Sequence, residues 1–94
     1  MNATITELIP SNGRKSFYGK AKVIHAEDGT DYLRSYETVV ASVKDGEVRR
    51  HWDGQSMTTS MHIKSFLRQF APRFDRSKFK NLETVSYPTL TVKI

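Results

Sequence analysis

Apolar and polar residues alternate along the first half of the chain, which is the pattern of half-buried β-strands. The segments that show it are residues 17–26, 32–43 and 48–52, and the pairs Asp28-Gly29 and Asp45-Gly46 separate them. Asp-Gly favours the positive φ angles of tight hairpin turns. The pattern therefore predicts a three-stranded antiparallel sheet made of two hairpins.

A two-residue loop at Asp45-Gly46 fixes the register of the second hairpin, because each residue then has one counterpart on the other strand. On one side of the sheet the expected pairs are Val43–Val48, Ala41–Arg50 and Val39–Trp52, and on the other side Ser42–Arg49 and Val40–His51. The first side is mostly apolar, so we expect it to pack against the core.

The apolar period then changes from two to between three and four, which indicates an amphipathic helix. Its stripe consists of Ile63, Phe66, Leu67 and Phe70. The hydroxyl residues in the stretch 56–60 are candidate N-caps. Pro72 ends the helix, since the residue before a proline disfavours helical backbone.

A short second helix is expected after Asp75, which serves as its N-cap with Phe74 and Phe79 in hydrophobic-staple positions. Residues 83–94 read as a final strand, and Pro88 favours the edge of a sheet for it. Residues 1–16 are predicted to be a loosely ordered arm ahead of one small domain, 17–94. The expected fold is α+β in the order β-β-β-α-α-β: a three-stranded antiparallel sheet, one amphipathic helix, a short helix and a C-terminal edge strand.

Composition narrows the function classes. A chain of 94 residues supports one modest core. It has no cysteine, which excludes disulfides, thiolate zinc sites and cysteine nucleophiles. It shows neither a signal peptide nor an apolar stretch long enough to span a bilayer, so we expect a cytoplasmic protein with no membrane partner.

The formal net charge of +5 is concentrated in residues 64–80, because the basic and acidic residues on either side of this stretch balance. Such a local field attracts anions in a way that scattered charge does not. We therefore predict phosphate contacts with nucleic acid from six residues of the stretch, and secondary contacts from Arg49 and Arg50; the six are Lys64, Arg68, Arg73, Arg76, Lys78 and Lys80. The alternative is a solvated face that keeps the domain soluble.

Other chemistry is weaker in this sequence. The strand Arg49-Arg50-His51-Trp52 has residue types that stack on bases, although the register favours Trp52 as a core residue. His51, Asp53 and His62 contain metal-ligand types at unspecific spacing, and the hydroxyls near His62 lack an orienting third group. We expect no metal, no cofactor, no small-molecule substrate and no enzymatic activity.

Three segments resemble small uncharacterised proteins of phages and mobile elements from Gram-positive bacteria: residues 15–21 (KSFYGKA), 33–40 (LRSYETVV) and 56–66 (SMTTSMHIKSF). The shared pattern is a Ser-Tyr-x-Thr strand followed by a Ser-x-Thr-Thr-x-x-His helix start. The resemblance covers about residues 15–70 and implies a bacterial host cytoplasm, with no activity attached. In that setting the expected function is a non-enzymatic module that binds nucleic acid, with DNA favoured over RNA. The alternative is an anti-CRISPR-like protein that inhibits a host defence enzyme, and either form is a monomer or a homodimer.

Overall fold

The computed structural model of the protein describes residues 1–10 and 17–92. These residues form a mixed six-stranded sheet in the order β5-β4-β3-β2-β1-β6. All neighbouring strands are antiparallel except β6, which runs parallel to β1. The strands are β1 Asn2–Glu7, β2 Ala21–Ala26, β3 Asp31–Ser35, β4 Thr38–Lys44, β5 Glu47–Arg50 and β6 Thr91–Val92, and the helices are α1 Met57–Phe70 and a 3₁₀ helix, Arg76–Asn81.

The expected three-stranded sheet is wrong, and one reason is a turn that carries no turn residues. The stretch 32–43 was predicted as one strand, but Tyr36-Glu37 turns the chain so that β3 pairs with β4. Tyr36 takes a φ of 55°, a conformation in which glycine, asparagine or aspartate is usual. Because tyrosine does not mark such a turn in a sequence, one predicted strand becomes two.

The second reason is that β1 comes from the stretch predicted to be a loosely ordered arm. Residues 3–7 pair continuously with β2, from Ala3 opposite Ala26 to Glu7 opposite Lys22. Their side chains are mostly polar, so little in the local sequence favours a strand. Residues 11–16 of that predicted arm lie outside the described residues.

The predicted register of the β4–β5 hairpin is confirmed: Ala41 lies opposite Arg50, Ser42 opposite Arg49 and Val43 opposite Val48. Asp45 and Gly46 in the turn have φ angles of 51° and 80°, as the Asp-Gly signal predicts. The register of β4 against β3 shifts, however, between Leu33 and Arg34.

This shift changes which way the start of β4 faces. Val40 and Ala41 are consecutive, yet both pack on the side of the sheet that carries α1, while Val39 packs on the opposite side. A bulge has this effect because it adds one residue to one strand of the pair. The prediction that Val39 and Trp52 share a side is therefore wrong, since Trp52 packs on the α1 side.

The helix α1 covers one side of the sheet, which we call the helix face. Its predicted stripe is confirmed, with Ile63, Phe66 and Leu67 buried, and the helix ends at Phe70 just before Ala71-Pro72. Ser56 is the N-cap, and its hydroxyl accepts a hydrogen bond from the Thr59 N–H at 3.2 Å. The predicted second helix starts after its Asp75 cap, but it is a 3₁₀ helix rather than an α-helix.

The other side of the sheet, the strap face, is crossed by residues 84–90, which we call the strap. The strap begins beside β5, where Thr84 bridges Arg50, and it leads to β6 beside β1 at the opposite edge. The prediction of one long strand over residues 83–94 is therefore wrong, because the only ladder in this stretch of the described residues is the short β1–β6 pair. Tyr87 and Leu90 pack onto the strap face on the way.

The length of the strap implies that the sheet is curved. Thr84 lies beside β5, outside one edge of the sheet, and Thr91 lies in β6, at the other edge. The two positions are six strand spacings apart, which is about 29 Å across a flat sheet. The seven steps from Thr84 to Thr91 reach about 25 Å when fully extended. The sheet therefore curls around the strap, which is consistent with the bulge in β4.

Candidate nucleic-acid interface

The six basic residues of the stretch 64–80 are in no ion pair between described residues. The ion pairs between described residues all lie elsewhere: His25–Asp31, Arg34–Glu37, Lys44–Asp28 and Arg49–Glu47. Asp75, the one acidic residue of the stretch, accepts hydrogen bonds from the Ser77 N–H at 3.0 Å and the Ser77 hydroxyl at 2.6 Å. These two bonds lower the pKa of Asp75, and the charges of Lys78 and Arg76 lower it further. Asp75 is therefore ionised at neutral pH and offsets one of the six positive charges, which leaves a net charge of +5 on the stretch.

Part of this charge converges on a groove between α1, the loop that precedes it and the 3₁₀ helix. The groove has a volume of about 600 Å³ and continues into a smaller pocket of about 330 Å³ toward Ser77. Asp53 is the acidic residue among its lining. We call it the basic groove, and its cations are Arg50, Lys64, Arg76 and Lys80.

The floor of the basic groove is apolar. Ile63 and Phe79 belong to the core beneath it, and the partly buried Trp52 packs against the same core. Met57 stands at the rim with 87% of its surface exposed. A wall of cations above an apolar and aromatic floor provides both charge attraction and a surface for flat, weakly polar groups.

The guanidinium of Arg50 is engaged in hydrogen bonds within the protein and has a structural role in the groove. Its Nε donates to the carbonyl oxygen of Trp52 at 2.8 Å, and its Nη1 donates to those of Lys80 at 2.8 Å and Leu82 at 3.4 Å. The guanidinium also lies 5.9 Å from the centre of the Phe79 ring. Arg50, predicted as a secondary phosphate contact, therefore ties the end of the 3₁₀ helix to the sheet.

The other predicted contacts lie outside the basic groove. Arg73 lines a separate small pocket beside Gly46 and Phe74. Arg49 is on the strap face, where its Nη2 lies 3.4 Å from Glu47 Oε1. Arg68 follows Lys64 by one turn of α1, and Lys78 is exposed on the 3₁₀ helix. The fold thus brings four of the eight predicted residues together and disperses the rest.

The predicted register of Trp52 favours a core position over one that faces a ligand. The indole is partly buried, as expected, but it also lines the groove. Gly54 is the signal that reveals this placement. A Cβ at Gly54 would come within 2.6 Å of the indole atoms Cε2 and Cζ2. The loop before α1 therefore lies directly against the ring.

Hydroxyl groups at the start of α1 form hydrogen bonds within the protein. Ser35 Oγ lies 2.8 Å from His62 Nδ1 and 3.0 Å from Thr59 Oγ1, and all three residues are buried. Phe17 packs edge-on against the His62 ring. Burial, helped by the charge of Lys20, lowers the pKa of His62. This network joins β3 to α1 in the core.

The histidines that a metal site would share are far apart in the fold. His62 is buried on the helix face, whereas His51 is on the strap face, hydrogen-bonded to Ser42 Oγ at 2.8 Å. His51 lines a cleft of about 240 Å³ under the strap, together with Tyr32 and Tyr87. Its Nδ1 donates to the Val85 carbonyl oxygen at 2.8 Å. Burial lowers the pKa of His51, and the positive charge of Arg49 lowers it further. The hydrogen bond to Val85 raises the pKa, but by less than burial lowers it.

Comparison with known families places the chain. The sequence model of a family of unknown function, DUF8033, matches residues 6–82. The chain belongs to DUF8033. All residues that form the basic groove lie within the DUF8033 match, and the whole strap lies beyond it. The match confirms that the chain belongs to a family of unknown function, and the origin in phages or mobile elements stays a prediction.

No curated protein and no solved structure matches the chain. None of the helices in the described part of the chain is long and apolar enough to cross a membrane. What the protein does is therefore inferred from the groove itself.

Proposed function

We propose that the protein is a non-enzymatic module that binds nucleic acid, DNA ahead of RNA, through phosphate contacts along the basic groove. The observation that carries this proposal is the net positive charge of residues 64–80, whose six basic residues are in no ion pair between described residues. Lys64, Arg76 and Lys80 are the principal contacts. Binding by such cations releases counterions from the phosphate backbone, and this release drives the association.

We further propose that this protein acts in the cytoplasm of a bacterium that carries a phage or mobile element. The resemblance of residues 33–40 and 56–66 to proteins of such elements supports this setting. Handling the DNA of the element is the task that fits a small basic module.

The test measures binding of a labelled duplex DNA and a labelled single-stranded DNA by fluorescence anisotropy at several salt concentrations. We expect affinity for at least one of them to fall steeply with salt. Replacing Arg76 and Lys80 by Gln removes two contacts, so the slope of log K against log salt becomes shallower by about 0.7 to 0.9 per contact. Glutamine keeps most of each side chain, which limits effects on packing.

The matched control replaces Lys44 and Arg49 by Gln. It removes the same charge, but from residues that face away from the groove and stand within 4.0 Å of Asp28 and Glu47. Equal losses in the two variants would contradict an interface at the groove. Absence of binding at low salt would overturn the function itself, and a partner retained from nuclease-treated lysate would then favour the inhibitor alternative.

A further inference from the structure

Trp52 is held in a fixed position on the floor of the basic groove. The backbone at Gly54 lies against its indole, and Arg50 Nε binds its carbonyl oxygen at 2.8 Å. The rest of the side chain is wedged against the core, yet it lines the groove. A ring fixed in this way loses little conformational entropy when a ligand packs on it.

The surroundings of Trp52 combine apolar side chains, which suit a base, with cations, which suit a phosphate. Ile63 and Phe79 extend the apolar floor beside the indole, while Lys64 and Lys80 stand around it. The volume of about 600 Å³ falls inside the range of about 300 to 1,000 Å³ that is typical of small-molecule sites. The groove therefore accommodates an unstacked base with its phosphates at the walls.

A duplex does not offer such a base. Its bases are stacked on one another, and their flat faces become available to an aromatic side chain only when the strand is single. We propose that the basic groove binds single-stranded nucleic acid, with one base packed on Trp52 and the neighbouring phosphates on Lys64, Arg76 and Lys80. This inference rests on the proposed function and names the form of nucleic acid that the groove selects.

Stacking on an indole is tolerant of base identity, because every base has a flat aromatic face. The site therefore selects single strands with little sequence preference. An acidic polypeptide without aromatic residues shares the negative charge of nucleic acid but offers no base, so polyglutamate serves as the competing ligand in the test.

The chain contains a single tryptophan, so its fluorescence reports on the groove directly. The wild-type protein is titrated with an oligothymidine of about twelve nucleotides, a length within the usual site size, and separately with the same strand annealed to its complement. We expect the single strand to quench the emission, to shield the indole from acrylamide and to bind about tenfold tighter than the duplex. Polyglutamate of equal charge is expected to compete poorly.

The variant test uses anisotropy of the labelled oligothymidine. Trp52→Leu is expected to weaken single-strand binding about tenfold, the loss of one stacked base, and to leave duplex binding nearly unchanged. Trp52→Phe keeps a ring and is expected to retain most of the affinity. Tyr87→Leu removes an aromatic residue on the strap face and serves as the control.

The outcomes separate the two proposals. Duplex binding that equals or exceeds single-strand binding, or single-strand binding without a change in emission, overturns the stacking inference and leaves phosphate binding in place. Equal competition by polyglutamate overturns it as well. Failure of both nucleic acids to bind overturns both proposals.

Discussion

At the scale of single residues, Gly54 is the described glycine that has no space for a side chain. It precedes α1, and the indole of Trp52 occupies the space that a side chain would need. The sequence shows Asp53-Gly54 as a third Asp-Gly pair and hence as a turn signal. The structure shows that the glycine is also required for close approach, which no local pattern reveals.

Gly54→Ala should destabilise the protein, because its Cβ would lie 2.6 Å from the indole. Overpacking of this kind costs about 1 to 3 kcal/mol. Urea denaturation followed by circular dichroism measures the loss, and Gln55→Ala, a change at an exposed neighbour, is the control. An alanine variant with wild-type stability and unchanged tryptophan emission would show that the loop yields without cost.

At the scale of elements, α1 follows its sequence closely, whereas the strands do so only at the β4–β5 hairpin. Its cap at Ser56, its stripe and its end before Pro72 are each encoded within a few residues. The boundary between β3 and β4 depends instead on Tyr36, whose positive φ angle is imposed by the hairpin around it. Helical signals are local and strong, whereas strand boundaries depend on the partner strands.

Ser56→Ala removes the hydroxyl that accepts the Thr59 N–H at 3.2 Å. We expect a loss of about 1 kcal/mol in the free energy of unfolding, the usual cost of losing an N-cap. Thr58→Ala is the matched control, since Thr58 is exposed and lies inside the helix. If both changes had the same effect, measured by thermal or urea denaturation, the cap would not be the cause.

At the scale of the whole molecule, two histidines connect the sheet to the elements on its two sides. The buried His62 contacts α1 and β3, and the half-buried His51 contacts the strap. His62 joins α1 to β3 through Ser35, and His51 joins the strap to the strap face through Val85 and Ser42. Both have pKa values lowered mainly by burial, so both are neutral in the folded protein at neutral pH. The attachment of both layers is thus linked to proton uptake.

Stability should fall when the pH drops below the unfolded-state histidine pKa of about 6.5. Between this value and the lower folded-state pKa, the unfolded chain binds more protons, so the free energy of unfolding decreases as pH falls. The contribution is fully present above pH 6.5 and is lost toward the folded-state pKa. The pKa values of Asp28 and Asp75 are also lowered, from 3.8, so these groups change the stability mainly below that pH. They do not mask the effect of the histidines between pH 7 and pH 5.

Urea denaturation at fixed ionic strength between pH 7 and pH 5 measures this dependence. His51→Gln and His62→Gln should each flatten the curve, because each removes one group that titrates differently in the two states. A curve with the same slope in both variants as in the wild type would contradict the assignment.

The sequence alone determined what its local chemistry encodes. The Asp45-Gly46 turn set the β4–β5 register, Ser56 and Pro72 bounded α1, and Asp75 capped the 3₁₀ helix. The position of the charge between residues 64 and 80 is likewise a property of the chain itself. These features depend on neighbours a few residues away, so a local reading recovers them.

Only the tertiary structure decided how distant segments meet. The pairing of β1 with β2 and β6, and the path of the strap across the sheet, depend on which surfaces bury one another, and periodicity carries no record of that. The same holds for the basic groove, where Arg50 and Trp52 from one stretch meet Arg76 and Lys80 from another. The sequence specifies which residues are charged. The basic side chains meet beside Trp52 and Phe79 only because the 3₁₀ helix folds back beside α1.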